Sequence, residues 1–152
     1  MRDKSYVVGY MFNNEGTEVA LILKNKPADQ VGLYNGIGGK IENLEHSEDA
    51  MPREFLEETG IEAVNGNTKA TQLWKKSVYL QGEGWQVHYF RAFSTDIIEA
   101  LKAKTEWPTS EPVHVYAVKD LPENLYTHVA WTLFMSLAPV QFPVRVDDPG
   151  VE

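Results

Sequence analysis

The stretch from Gly39 to Ile61, GKIENLEHSEDAMPREFLEETGI, constrains this chain more than any other. In it Glu54, Glu57 and Glu58 are spaced i, i+3 and i+4, which is one face of a helix turning every 3.6 residues or about that. Three carboxylates on neighbouring turns repel one another. A helix tolerates that on a solvated surface, or gains from it when a hard divalent cation lies between them, since such cations take oxygen from carboxylates, water and substrate phosphates. Gly38 and Gly39 stand just ahead and allow backbone to come close to an ion. The helix is expected from Ser47 to Thr59, stopped by Gly60 in a left-handed conformation. Pro52 is free of cost only in a first turn, so a later start or a bend stays open.

The rest of the chain bounds the answer. With 152 residues, 43% hydrophobic and 24% charged, it is one ordinary domain with a real core. The net charge of −8 argues against a broad footprint for a nucleic-acid polymer, whose binders show basic stripes. An acidic protein acting on phosphates needs a local remedy, which bound cations supply. The absence of cysteine excludes disulfides and thiolate metal sites. The beginning, MRDKSYVVGY, lacks the apolar run of a signal peptide, and no segment is long enough to span a membrane. A cytoplasmic protein is the expectation.

Ser5–Phe12 and Glu18–Lys24 read as strands around the turn Asn13-Asn14-Glu15-Gly16. Lys26–Lys40 reads as loop, and Thr71–Leu80 with Trp85–Phe93 as a second antiparallel pair. Asp96–Lys104 reads as a short helix, Trp107–Pro112 as loop and Val113–Val118 as a strand. Leu125, Val129, Leu133 and Leu137 place the last helix within about Glu123–Leu137. The domain is expected to fill 1–138, with 139–152 a loosely held C-terminal tail. The pattern alone supports mixed α and β.

Gly39, Glu45, Arg53, Glu54, Glu57, Glu58, Gly60 and Ile61 together resemble the box of the Nudix family, with Phe55 at a bulky position that is more often aliphatic. Eight fixed positions over 23 residues are far more specific than a Glu-Glu pair. The resemblance implies an α/β fold, a Nudix-type α/β/α sandwich around a curved mixed sheet. It implies a MutT-like hydrolase that splits a phosphoanhydride in a nucleoside diphosphate linked to another group, with Mg2+, or Mn2+ in its place. Glu57 and Glu58 are the first expected metal ligands, with the Gly38 carbonyl as a third. Glu54 is either a further ligand or the base for the attacking water, and members of the family differ on this. Arg53 and Glu45 are expected to aim and brace the box glutamates, since the guanidinium fork holds a carboxylate in place. Lys40 and Glu42 flank the loop and could meet phosphate and metal, or stand as exposed strand residues. Glu111, in Thr-Ser-Glu-Pro, is the extra acidic candidate from outside the box.

For substrate, the run LILKNKPADQVGLYNGIGGKIE resembles small MutT-like members that convert nucleoside triphosphates to monophosphate and pyrophosphate. The ADP-ribose group carries a proline at the position that Lys76 holds here, and no proline occurs between Pro52 and Pro108. Dinucleoside polyphosphate enzymes carry a tyrosine where Tyr79 stands, so Tyr79 is a candidate for contact with a second base. Nucleotide sugars, a catalytically quiet nucleotide sensor and an RNA-end hydrolase are the remaining alternatives. The expected partner is a small nucleotide, with no nucleic-acid polymer and no membrane. Monomer and homodimer both stay open.

Overall fold

Alternation along the first strand sets the layering of the molecule, whose computed structural model describes residues 4–138 and 143–150. In β1 (Lys4–Phe12), Val7 and Met11 point to one face, while Val8, Tyr10 and Phe12 point to the other. β2 (Glu18–Leu23) repeats the pattern, with Ala20 and Ile22 on the first face and Val19 and Leu21 on the second. A strand that is apolar on both faces has to be covered on both.

The first face is covered by α1 (Ser47–Thr59), through Ala50, Met51 and Phe55, and by α3 (Thr95–Ala103), through Ile97, Ile98 and Leu101. The second is covered by α4 (Val129–Leu137), through Val129 and Leu133. Ser94 caps α3 by accepting the Ile97 N–H. α1 begins at Ser47 and runs unbroken through Pro52, which resolves the doubt over its start. Its buried Met51 and Phe55 anchor the turns on either side of the proline. Gly60 ends it at φ 75°, donating its N–H to the Leu56 carbonyl.

Among the described residues the remaining strands are β3 (Tyr34–Asn35), β4 (Ile37–Lys40), β5 (Lys75–Gly82), β6 (Trp85–Phe93), β7 (Val113–Ala117) and β8 (Val144–Asp147). They join β1 and β2 in one mixed sheet ordered β3-β2-β1-β6-β5-β8, with β4 also on β1 and β7 also on β2. β1 runs parallel to β6 along its whole length, Lys4 opposite Trp85 and Phe12 opposite Phe93. β1 is shared on its other side: β4 pairs with Tyr6–Gly9 and β2 with Met11 and Phe12. The sheet therefore forks where β2 and β4 part. With helices on both faces this is the expected α/β/α architecture.

Four local expectations are corrected. Lys26–Lys40 is not wholly loop, because it holds a turn of 3-10 helix at Ala28–Gln30 as well as β3 and β4. Its glycines look like loop punctuation, yet at Gly36, Gly38 and Gly39 an added Cβ would meet neighbouring atoms at less than 3 Å. The strand expected from Thr71 begins only at Lys75. Residues Ala70–Leu73 make the short helix α2, whose N-terminus is tied by Gln72 accepting the Lys69 N–H at 3.4 Å. The last helix starts at Val129 rather than near Glu123; Leu125 lies in extended backbone beside Tyr34, which bonds to Asn124 and Tyr126. The tail is not a loose arm where it is described: Val144–Asp147 adds as β8, parallel to β5. Residues 139–142 and 151–152 of that expected tail lie outside the described residues.

Candidate functional site

Arg53 organises the carboxylates that the spacing of α1 brings together. Its Nε and Nη2 donate to both oxygens of Glu45, at 2.7 and 2.8 Å, a bidentate fork. Its Nη1 donates to Glu54 at 2.9 Å and to both Glu57 oxygens at 3.2 Å. Nη2 also reaches the Lys40 carbonyl at 3.1 Å, and Glu42 stands 3.5 Å from Nη1. One side chain thus ties the helix to the end of β4 and to the 41–46 loop. Glu45 completes the brace by accepting the Glu42 N–H at 3.0 Å. Arg53 and Glu45, the residues expected to brace the box glutamates, are bonded to each other between helix and loop.

The three box glutamates have different surroundings. Glu54 is 8% exposed and lies under Gly39, whose added Cβ would sit 2.5 Å from the carboxylate carbon. Burial raises its pKa, Arg53 pulls it back, and the charges of Glu57 and Glu58 raise it again. Glu57 is half exposed and held only by Arg53 among the contacts described. Glu58 is also raised, first by burial, with Lys24 opposing and Glu111 adding repulsion; Thr109 donates to it at 3.4 Å. Glu45 is lowered, first by its bond to Arg53.

Glu111 is 2% exposed and not a solvated loop residue. It accepts from Lys24 Nζ at 3.0 Å and from the backbone N–H groups of Asn25 and Lys26 at 2.7 and 3.3 Å. The structure therefore brings Glu111 beside Glu58 while tying it to the end of β2. Lys24 was not singled out from sequence. The available signal was a lysine at the end of a strand, just ahead of a Pro- and Gly-containing segment in an acidic chain.

Next to the glutamates, across Gly38 and Gly39, lies a cavity of about 590 Å³. Lys4, Lys24 and Lys40 supply positive charge and Asp29 negative, and Tyr6, Trp85, Tyr126 and His128 supply rings. Tyr126 and His128, from the segment before α4, were missed because that segment read as helix. Lys40 is exposed at the end of β4 and lines the cavity, while Glu42 is exposed and turned to Arg53. Tyr79 is not brought to this cavity. Its hydroxyl bonds to Gln81 and Gln86 and its ring lies against His88, on the face of β5 opposite to Leu80, which does line the cavity. Trp74 packs on Phe55 and Trp131 on His128.

Among the described residues no three acidic or histidine side chains converge as a formed ion site. The donor set nevertheless fits a hard cation: every group is a carboxylate or a backbone oxygen, and beyond burial the charges of neighbouring carboxylates raise the pKa of Glu54 and of Glu58, against Arg53 and Lys24 respectively. Such a set can bind a cation, orient a water and accept a proton. The bidentate Glu45–Arg53 pair gives a first expected result. Because the folded pKa of Glu45 is depressed, its contribution is present above the ordinary carboxylate value and is lost as pH falls through the folded value. Thermal stability of Glu45→Gln should therefore fall below that of the parent at pH 7, with the gap narrowing at pH 4 and below. An equal gap at all pH values would show that the pair contributes no proton-linked stability.

The family model described as NUDIX domain matches residues 3–133. Several solved structures share the architecture. A MutT NUDIX hydrolase from Burkholderia pseudomallei aligns at TM-score 0.62 with 20% identity, over 89% of this chain and 98% of its own. A NUDIX hydrolase from Nitrosomonas europaea aligns at 0.68 with 15% identity, over 97% and 81%. An ADP-ribose pyrophosphatase from Streptococcus suis aligns at 0.65 with 18% identity, over 96% and 99%. At these identities the likeness is one of fold.

Proposed function

The chain belongs to the Nudix family of pyrophosphohydrolases, and from that premise we propose that it hydrolyses a nucleoside triphosphate to the monophosphate and pyrophosphate, with magnesium as its cation. Hydrolases of this family use divalent metal ions and act on small nucleotide substrates. The observation that carries the narrower reading is the cavity beside Gly38 and Gly39, which is lined by both lysines and aromatic rings. Its volume, about 590 Å³, falls in the range of a site for one small ligand. Tyr79, on which a second base would depend, faces away from it.

In this reading Glu57 and Glu58, with the Gly38 carbonyl, hold the cation. When bound, the cation neutralises charge on the phosphoryl oxygens and the leaving group. Glu54, the most buried of the three and raised by that burial, suits the acceptance of a proton from the attacking water. Lys24 and Lys40 draw the phosphates toward the glycine-lined wall. Arg53 keeps Glu54 and Glu57 in a fixed relation to Glu45 and to β4.

A phosphate-release panel of nucleoside triphosphates, dinucleoside polyphosphates, ADP-ribose and nucleotide sugars tests this, each run with magnesium and with EDTA. The expected result is the highest kcat/KM on a triphosphate, pyrophosphate among its products, and no turnover in EDTA. Equal rates with and without chelator would overturn the cation's role. A higher kcat/KM on dinucleotides or ADP-ribose would overturn the substrate.

A further inference from the structure

Beyond residue 133, where the family match ends, the C-terminal segment contacts His128, a residue of the cavity lining. After β8, the Asp148 N–H bonds to the Gln81 carbonyl at 2.7 Å, fixing Asp148 at the end of β5. Asp148 Oδ1 accepts the Gly150 N–H at 2.7 Å, and Oδ2 lies 3.0 Å from His128 Nε2. On the other side of the ring, Trp131 Nε1 lies 3.0 Å from His128 Nδ1. An indole N–H can only donate, so Nδ1 carries no proton; the ring proton is on Nε2, where Asp148 accepts it. Both nitrogens of His128 are therefore committed within the protein. His128 lines the cavity from a left-handed backbone at φ 72°, and what it has left to offer a ligand is the carbon surface of its ring.

We propose that Asp148 is a positioning residue for the substrate cavity, and that the Asp148–His128–Trp131 chain presents the imidazole as a flat packing surface for the base of a bound nucleotide. The inference rests on the nucleotide reading above. It gives the C-terminal segment an indirect hold on the cavity wall through His128, and with it a means of tuning base affinity. The phosphate end of the cavity, with Lys24 and Lys40, has no part in that chain of bonds.

Titration calorimetry in magnesium tests the proposal, with the four nucleoside monophosphates and inorganic pyrophosphate as separate probes. Asp148→Ala and His128→Gln should each weaken the best-bound monophosphate by about tenfold, the size of one lost base–ring contact. Pyrophosphate binding should stay within about twofold, and in turnover Asp148→Ala should raise KM with kcat within about twofold. His128→Phe, which keeps a ring face and loses both nitrogens, should hold the monophosphate within about threefold of the parent. Unchanged affinity in Asp148→Ala, equal weakening of pyrophosphate, or a Phe variant as weak as the Gln variant would each overturn the proposal. A parent protein that binds pyrophosphate but none of the monophosphates would overturn the nucleotide reading and this one with it.

Discussion

Glu57→Gln and Glu58→Gln should each lower turnover by at least about a hundredfold, or roughly 2.7 kcal/mol of transition-state stabilisation. The substitution keeps side-chain volume and removes one negative charge from the donor set. Folding should survive, because neither residue is part of the apolar clusters under α1 and Glu57 is half exposed. In Glu58→Gln the nearby Glu111 also loses a repelling neighbour, so its melting temperature should not fall. The measurement is kcat across a magnesium titration, with melting temperature as the control. Near-parental turnover at any magnesium concentration would remove that glutamate from the essential set.

Two adjacent glycines should respond to the same substitution in opposite ways. At Gly38 a Cβ would stand 1.9 Å from the Val7 carbonyl oxygen, a backbone atom inside the β1–β4 pairing. Only separation of the strands relieves that, so Gly38→Ala should lose on the order of 3 kcal/mol of stability. In a domain of this size that is a fall of about 10 °C in melting temperature. At Gly39 the Cβ meets the far end of the Glu54 side chain instead, which can swing aside. Gly39→Ala should melt close to the parent yet lose turnover by about tenfold or more, because Glu54 is driven from its place beside Arg53. A Gly39→Ala protein with parental kcat would show that Glu54 need not sit where it does.

Those glycines also show where sequence reading reached its limit. α1 was legible because its information is local: carboxylates at i, i+3 and i+4, a glycine stop, and bulky residues on the face toward the sheet. β4 was not, since glycine has no strand preference of its own and is present in Ile37–Lys40 because other parts of the chain press against it. The Arg53–Glu45 brace was open to inference, as its partners are eight residues apart and belong to one recognisable pattern. Glu111 was visible only as a candidate, since its partner Lys24 is 87 residues away and nothing local marks its burial. His128 escaped notice for a related reason. The leucine spacing carried the expected helix back to Leu125, whereas Tyr34 claims that backbone and leaves the Tyr126–His128 segment to shape the cavity.

The sheet order has a consequence for how the chain could be re-cut. Lys4 pairs with Trp85, Trp85 with Gly82, and Gln81 with Asp147, so these residues lie across one end of the sheet. Lys4 and Asp147 are separated there by β6 and β5 alone, three strand spacings or about 14 Å. A short polar bridge leading from beyond Asp148 to Lys4 would close the backbone into a ring and keep the Asp148–His128 bond. That ring could then be opened at the exposed turn of Asn65 and Gly66, giving a permuted chain in which β8 and β1, which lie apart in the sheet, become neighbours in sequence.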